Sequence, residues 1–76
     1  MRVQLPALKP RQVIRALQRA DFFVHHVSGG HYALRHRRSL ELRVTVAYHN
    51  RNLHPKTLRA IIRQAGMTAD EFVNLL

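Results

Sequence analysis

Residues 22–37 read FFVHHVSGGHYALRHR, and this stretch decides the fold. Two runs rich in aromatic and β-branched residues, 22–27 and 31–37, flank Ser28, Gly29 and Gly30, which supply turn geometry; the pattern predicts a β-hairpin. Downstream, residues 41–48 alternate, with Leu42, Val44, Val46 and Tyr48 on one face and Arg43, Thr45 and Ala47 on the other. A third strand is therefore expected after the polar turn at Arg37, Arg38 and Ser39.

Upstream, residues 10–20 place Val13, Ile14, Ala16, Leu17 and Ala20 on one helical stripe and Arg11, Arg15, Gln18 and Arg19 on the other. Pro10 suits the first turn of such a helix, where its missing N–H leaves no bond unmade. A second helix opens at Pro55, buries Leu58, Ile61, Ile62 and Ala65, and ends at Gly66. Thr68 and Glu71 have capping-box spacing for a short third helix with Phe72, Val73, Leu75 and Leu76 on its apolar side. The expected fold is α+β in the order αβββαα, a three-stranded antiparallel sheet with the helices on one face. If Phe22, Val24, Tyr32 and Leu34 join Leu42, Val44 and Val46 on the covered side, then His25, His31, Ala33, Arg35, Arg43 and Thr45 lie on the open face.

With 76 residues the chain is expected to form one domain, residues 1–76, with a thin core. Thirteen Lys and Arg against four acids give a net charge of +9, a field that attracts polyanions. The absence of cysteine excludes disulfides, thiolate metal sites and a cysteine nucleophile. Residues 1–9, interrupted by Pro6, hold no apolar run long enough for a signal peptide, and no segment approaches the length of a membrane span. A cytoplasmic protein without a membrane partner is expected.

Several pieces in order carry a resemblance: Leu8-Lys9-Pro10-Arg11 with Val13-Ile14-Arg15-Ala16-Leu17, Gly29-Gly30-His31, Arg43-Val44-Thr45-Val46, Leu53-His54-Pro55 with Thr57-Leu58-Arg59, and Arg63-Gln64-Ala65-Gly66. Together they resemble the HicA-type mRNA interferase toxins, the partners of HicB-type antitoxins, over nearly the full length. The resemblance implies a fold like the double-stranded-RNA-binding domain and ribosome-independent cleavage of mRNA. It also implies a single catalytic histidine at His31 and neutralisation by a HicB-type antitoxin. Two positions depart from the family pattern: Gly30 stands where a serine is usual, and Asp21 where a glycine usually ends the first helix. Asp tolerates the left-handed conformation better than most residues.

Chemistry gives His31 an independent case. RNA carries its own nucleophile, the 2′-hydroxyl, so cleavage requires a base but no metal or cofactor. Imidazole, with an ordinary pKa of about 6.5, supplies that base near neutrality. Arginines around it would stabilise charge on the phosphate. The RNA-binding candidates are Lys9 and Arg11 at the first turn of helix one, where free N–H groups favour anions, Gly29 and Gly30 in the turn, and His25, Arg35 and Arg43 on the open face. Arg51 and Lys56 are further candidates that would extend this track.

The remaining histidines offer no metal site by spacing. His25 and His26 are adjacent on a strand and are expected on opposite faces, His31 and His36 likewise differ in parity, and His49 and His54 bracket a polar loop where solvent exposure accounts for them. A non-catalytic RNA-binding module is the main alternative. A helix-turn-helix DNA reader built from the last two helices is disfavoured, because its second helix carries Asp70 and Glu71 and no basic residue.

Overall fold

The computed structural model describes residues 4–76; the first three residues of the N-terminal stretch 1–9 lie outside them. The elements run α1 (Pro10–Arg19), β1 (Phe22–Ser28), β2 (His31–His36), β3 (Arg43–Ala47), α2 (Pro55–Gln64) and α3 (Ala69–Val73), in the expected order. The sheet is antiparallel with strand order β1-β2-β3. Helix α1 packs against β1 and β3, α2 against β3, and α3 against α2. Among the described residues no helix is long and apolar enough to cross a membrane.

Strand parity sets the two faces. Opposed pairs Tyr32 with Val46 and Leu34 with Val44 turn toward the helices, and Leu34, Val44 and Val46 are fully buried there. Val13, Ala16 and Leu17 from α1, Leu58, Ile61 and Ile62 from α2, and Phe72 from α3 complete that core. The alternate positions His31, Ala33, Arg35, Arg43 and Thr45 occupy the other face, which no helix covers.

Local rules explain the junctions. Lys9 precedes α1 and its ammonium cannot accept a bond, so the cap works in reverse: Gln12 Oε1 accepts from Lys9 N–H at 2.9 Å. Thr68 Oγ1 accepts from Glu71 N–H at 3.1 Å and Glu71 Oε1 accepts from Thr68 N–H at 2.8 Å, the reciprocal pair that the spacing predicts. Between α1 and β1, Asp21 has φ +70°, the left-handed value that a helix-ending glycine would take. Its carbonyl accepts from Arg37 N–H at 2.9 Å, and its carboxylate pairs with Arg38 at 3.2 Å in an exposed ion pair worth little. Asp21→Ala should therefore destabilise the fold by about 1–2 kcal/mol, whereas Asp21→Gly should be neutral or stabilising. Urea unfolding of the two variants checks this, and equal losses in both would assign the effect to the ion pair instead.

Two expectations change. Strand β3 begins at Arg43 and not at Glu41, because Leu42 N–H is taken by Ser39 O at 2.9 Å and holds Glu41 and Leu42 in the turn. Strand β1 carries a bulge: Val24 opposes Leu34, but the next residue in register, opposite Ala33, is His26. The extra residue is His25, whose ring stands edge-on to Phe23 at 6.4 Å, and Phe23 opposes Arg35 on the open side. His25 and His26 thus do not alternate between faces as adjacent strand residues ordinarily do; both belong to the open side.

Candidate functional site

His31 is the first residue of β2, delivered by a two-residue turn in which Gly29 and Gly30 have φ +58° and +78°. Positive φ at both centres is the turn whose twist matches a hairpin, and it needs glycine most. His31 is exposed, lying opposite Ser28 on β1 and Ala47 on β3. No atom lies within 4 Å of where a side chain would begin at Gly29, so the approach to the turn is open. At Gly30, where the resembling family carries serine, a Cβ would meet only Tyr48 O at 3.9 Å. Space for the serine exists, at the cost of a left-handed backbone.

The hydrogen bonds distinguish His31 from the other histidines. Its Nδ1 lies 3.2 Å from Gly29 O, and because a carbonyl can only accept, Nδ1 must donate. The neutral ring then leaves Nε2 unprotonated, the state a general base needs. His36 is oriented oppositely, with Nδ1 accepting from Arg38 N–H at 3.1 Å and Ser39 N–H at 3.0 Å. His49 Nδ1 accepts from Arg51 N–H at 3.1 Å, and His54 Nδ1 accepts from Lys56 N–H at 3.1 Å as the cap of α2. In those three neutral rings the proton sits on Nε2, so they present donors. Among the described residues no group of three or more His, Cys, Asp or Glu is arranged to hold a metal ion.

A backbone bond brings part of the candidate set to the same end of the molecule as His31. Tyr48 N–H donates to Gly30 O at 2.7 Å, which ties the end of β3 to the turn. Tyr48 stacks on Tyr32 with ring centroids 4.7 Å apart, and it also lines a shallow hollow of about 250 Å³ with Lys9, Arg11, His49 and Asn50. Lys9 and Arg11 therefore share one end of the molecule with Gly29, Gly30 and His31. Arg35 and Arg43 oppose each other across β2 and β3, four residues along from His31, about 13 Å at the rise of a strand. They and His25 extend the open face away from the turn.

Sequence reasoning left out two residues that line this hollow. Tyr48 reads as one more apolar position of β3, and His49 as an exposed loop residue, whereas both line the hollow beside Lys9 and Arg11. The available signal was their position immediately after a strand whose end must face the hairpin turn. Helix α3 has five residues with Asp70 and Glu71 in its first turn, which removes it as a groove-reading helix.

No curated protein matches the chain closely enough to serve as a named relative. A family model does: residues 10–67, well over half of the chain and spanning α1 through the end of α2, match the family described as HicA toxin of bacterial toxin-antitoxin. With the αβββαα order, the Gly-Gly-His turn and this match together, the chain belongs to the HicA toxin family of toxin-antitoxin systems.

Proposed function

We propose that this toxin is an endoribonuclease, an mRNA interferase in which His31 is the general base and the whole chain acts as one HicA-like domain. Membership of the family implies a cognate antitoxin; the proposed partner is of the HicB type and the proposed setting the cytoplasm, where mRNA is met. The observation that carries the reading is the Nδ1 contact to Gly29 O, which holds the His31 ring with Nε2 basic on an exposed hairpin end.

In the proposed reaction Nε2 takes the proton of a 2′-hydroxyl, and the oxygen attacks the adjacent phosphorus. The bond from phosphorus to the 5′-oxygen breaks, and that oxygen takes back the proton now held on His31 Nε2, directly or through solvent. The products are a 2′,3′-cyclic phosphate and a 5′-hydroxyl, with the ring returned to its neutral form. Lys9 and Arg11 supply positive charge near the turn for the phosphate, whose negative charge concentrates on its non-bridging oxygens in the transition state. Arg35, Arg43 and His25 hold the strand further along the open face. Every atom of the nucleophile and leaving group belongs to RNA, so the reaction asks only for one proton to be taken from the 2′-hydroxyl and one returned to the 5′-oxygen.

The purified toxin should therefore cut single-stranded RNA in the presence of excess EDTA, with binding that weakens steeply as salt rises. RNA binding without cleavage under any metal condition would instead make this a non-catalytic RNA-binding module.

A further inference from the structure

A second concavity, larger than the hollow at Lys9, lies where β3 ends and α2 begins. It encloses about 460 Å³ and is lined by Ala47, His49, Arg51, Asn52, His54 and Thr57 over the apolar Leu53. That volume lies within the usual range for small-ligand pockets. We propose that this pocket is a nucleotide subsite, holding the RNA residue next to the bond whose cleavage His31 promotes as general base. The proposal rests on the RNA-cleavage reading and adds to it a place for the strand that the open sheet face does not provide.

Three observations converge on a nucleotide. Ala47 is the residue directly opposite His31 across the sheet, so the pocket starts one strand away, about 5 Å between Cα atoms. The polar lining is biased toward donors: His49 and His54 both spend Nδ1 on backbone N–H groups and present Nε2–H, beside the Arg51 guanidinium and the Asn52 amide. No carboxylate lines the pocket. A ligand rich in acceptors, such as a phosphodiester and the carbonyls of a base, matches that lining. Leu53 is 7% exposed and with Ala47 gives the pocket an apolar surface suited to a base or ribose face. Leu53 N–H also donates to Leu8 O at 2.8 Å, which anchors the loop to the chain just before α1 and fixes the pocket wall.

The two histidines can be tested without disturbing the loop. Asparagine also accepts from a backbone N–H two residues on and is a good helix cap, so His49→Asn with His54→Asn keeps both local bonds and removes both Nε2–H donors. The double variant should raise KM for a short RNA about tenfold or more, with a far smaller loss in kcat than His31→Ala shows. An unchanged KM in a folded double variant, with wild type still cleaving, would overturn the subsite and leave the His31 reading standing. RNA neither bound nor cut by wild type would overturn both.

A second measurement stands if the double variant does not fold. Uncleavable 2′-O-methyl RNA added to wild type should shift the amide resonances of Arg51, Asn52 and Thr57, while inorganic phosphate at the same concentration should shift them much less. No shift with the oligonucleotide, or an equal shift with phosphate, would overturn a nucleotide subsite.

Discussion

Replacing His31 by alanine is expected to lower the rate of RNA cleavage by about 10²- to 10⁴-fold, the usual contribution of a positioned general base, and to leave RNA affinity nearly unchanged. The separation follows from where the ring sits. His31 is exposed, its hydrogen bond is to Gly29 O in its own turn, and it is not part of the buried core cluster. Lys9 and Arg11 line a different surface of the same end, and Arg35 and Arg43 lie further along the sheet. Truncation at His31 thus removes a proton acceptor without removing the positive charge that attracts RNA. His31→Asn sharpens the test, because its amide can still donate to Gly29 O but supplies no base; it should be as inactive as the alanine variant. Substantial activity in His31→Asn would show that the ring holds the turn and does not take the proton.

The second large effect is on stability. Phe72→Ala should cost about 3–5 kcal/mol, the range for emptying a buried aromatic site. Phe72 is completely buried, although α3, which carries it, is only five residues long and lies beyond the family match. The helix is tied down by the Thr68–Glu71 cap at one end and by Arg19, whose guanidinium donates to Leu75 O at 2.8 Å, at the other. Domains are stable by roughly 0.05–0.15 kcal/mol per residue, so a chain this short has few kcal/mol to lose. Thermal unfolding should show a fall in Tm on the order of 15 °C or more. A fall of only a degree or two would mean that α3 is peripheral and the core closes without it.

Sequence periodicity made most of this architecture legible. Both long helices, the Gly29-Gly30 turn, the inward set Leu34, Val44 and Val46, and the cap at Thr68 all follow from local spacing, because each is decided within a few residues. The bulge at His25 was not legible, since one extra residue in a strand leaves the composition unchanged and only the pairing with Ala33 reveals it. The early part of β3 was misread for a similar reason: Glu41 and Leu42 alternate correctly, but the turn bond to Ser39 takes Leu42 first.

The site divides along the same line. The place of His31 at the end of the hairpin turn was legible because Gly29 and Gly30 mark that turn; its role as base is the reading proposed above. Tyr48, His49 and His54 were not, because their positions depend on long-range backbone bonds, from Tyr48 to Gly30 and from Leu53 to Leu8. Nor does composition say which nitrogen of a histidine carries the proton. That depends on whether Nδ1 meets a carbonyl, as in His31, or an N–H group, as in His36, His49 and His54.

The chemistry of the cut ends tests the central claim most directly. An RNA with a single 2′-deoxy substitution at the cleaved nucleotide, compared with the all-ribose strand in excess EDTA, isolates the internal nucleophile. The mechanism assigned to His31 requires that the all-ribose strand yield 2′,3′-cyclic phosphate and 5′-hydroxyl ends, and that the substituted strand remain whole at that bond. Cleavage of the substituted strand, or 5′-phosphate ends from the all-ribose strand, would contradict it.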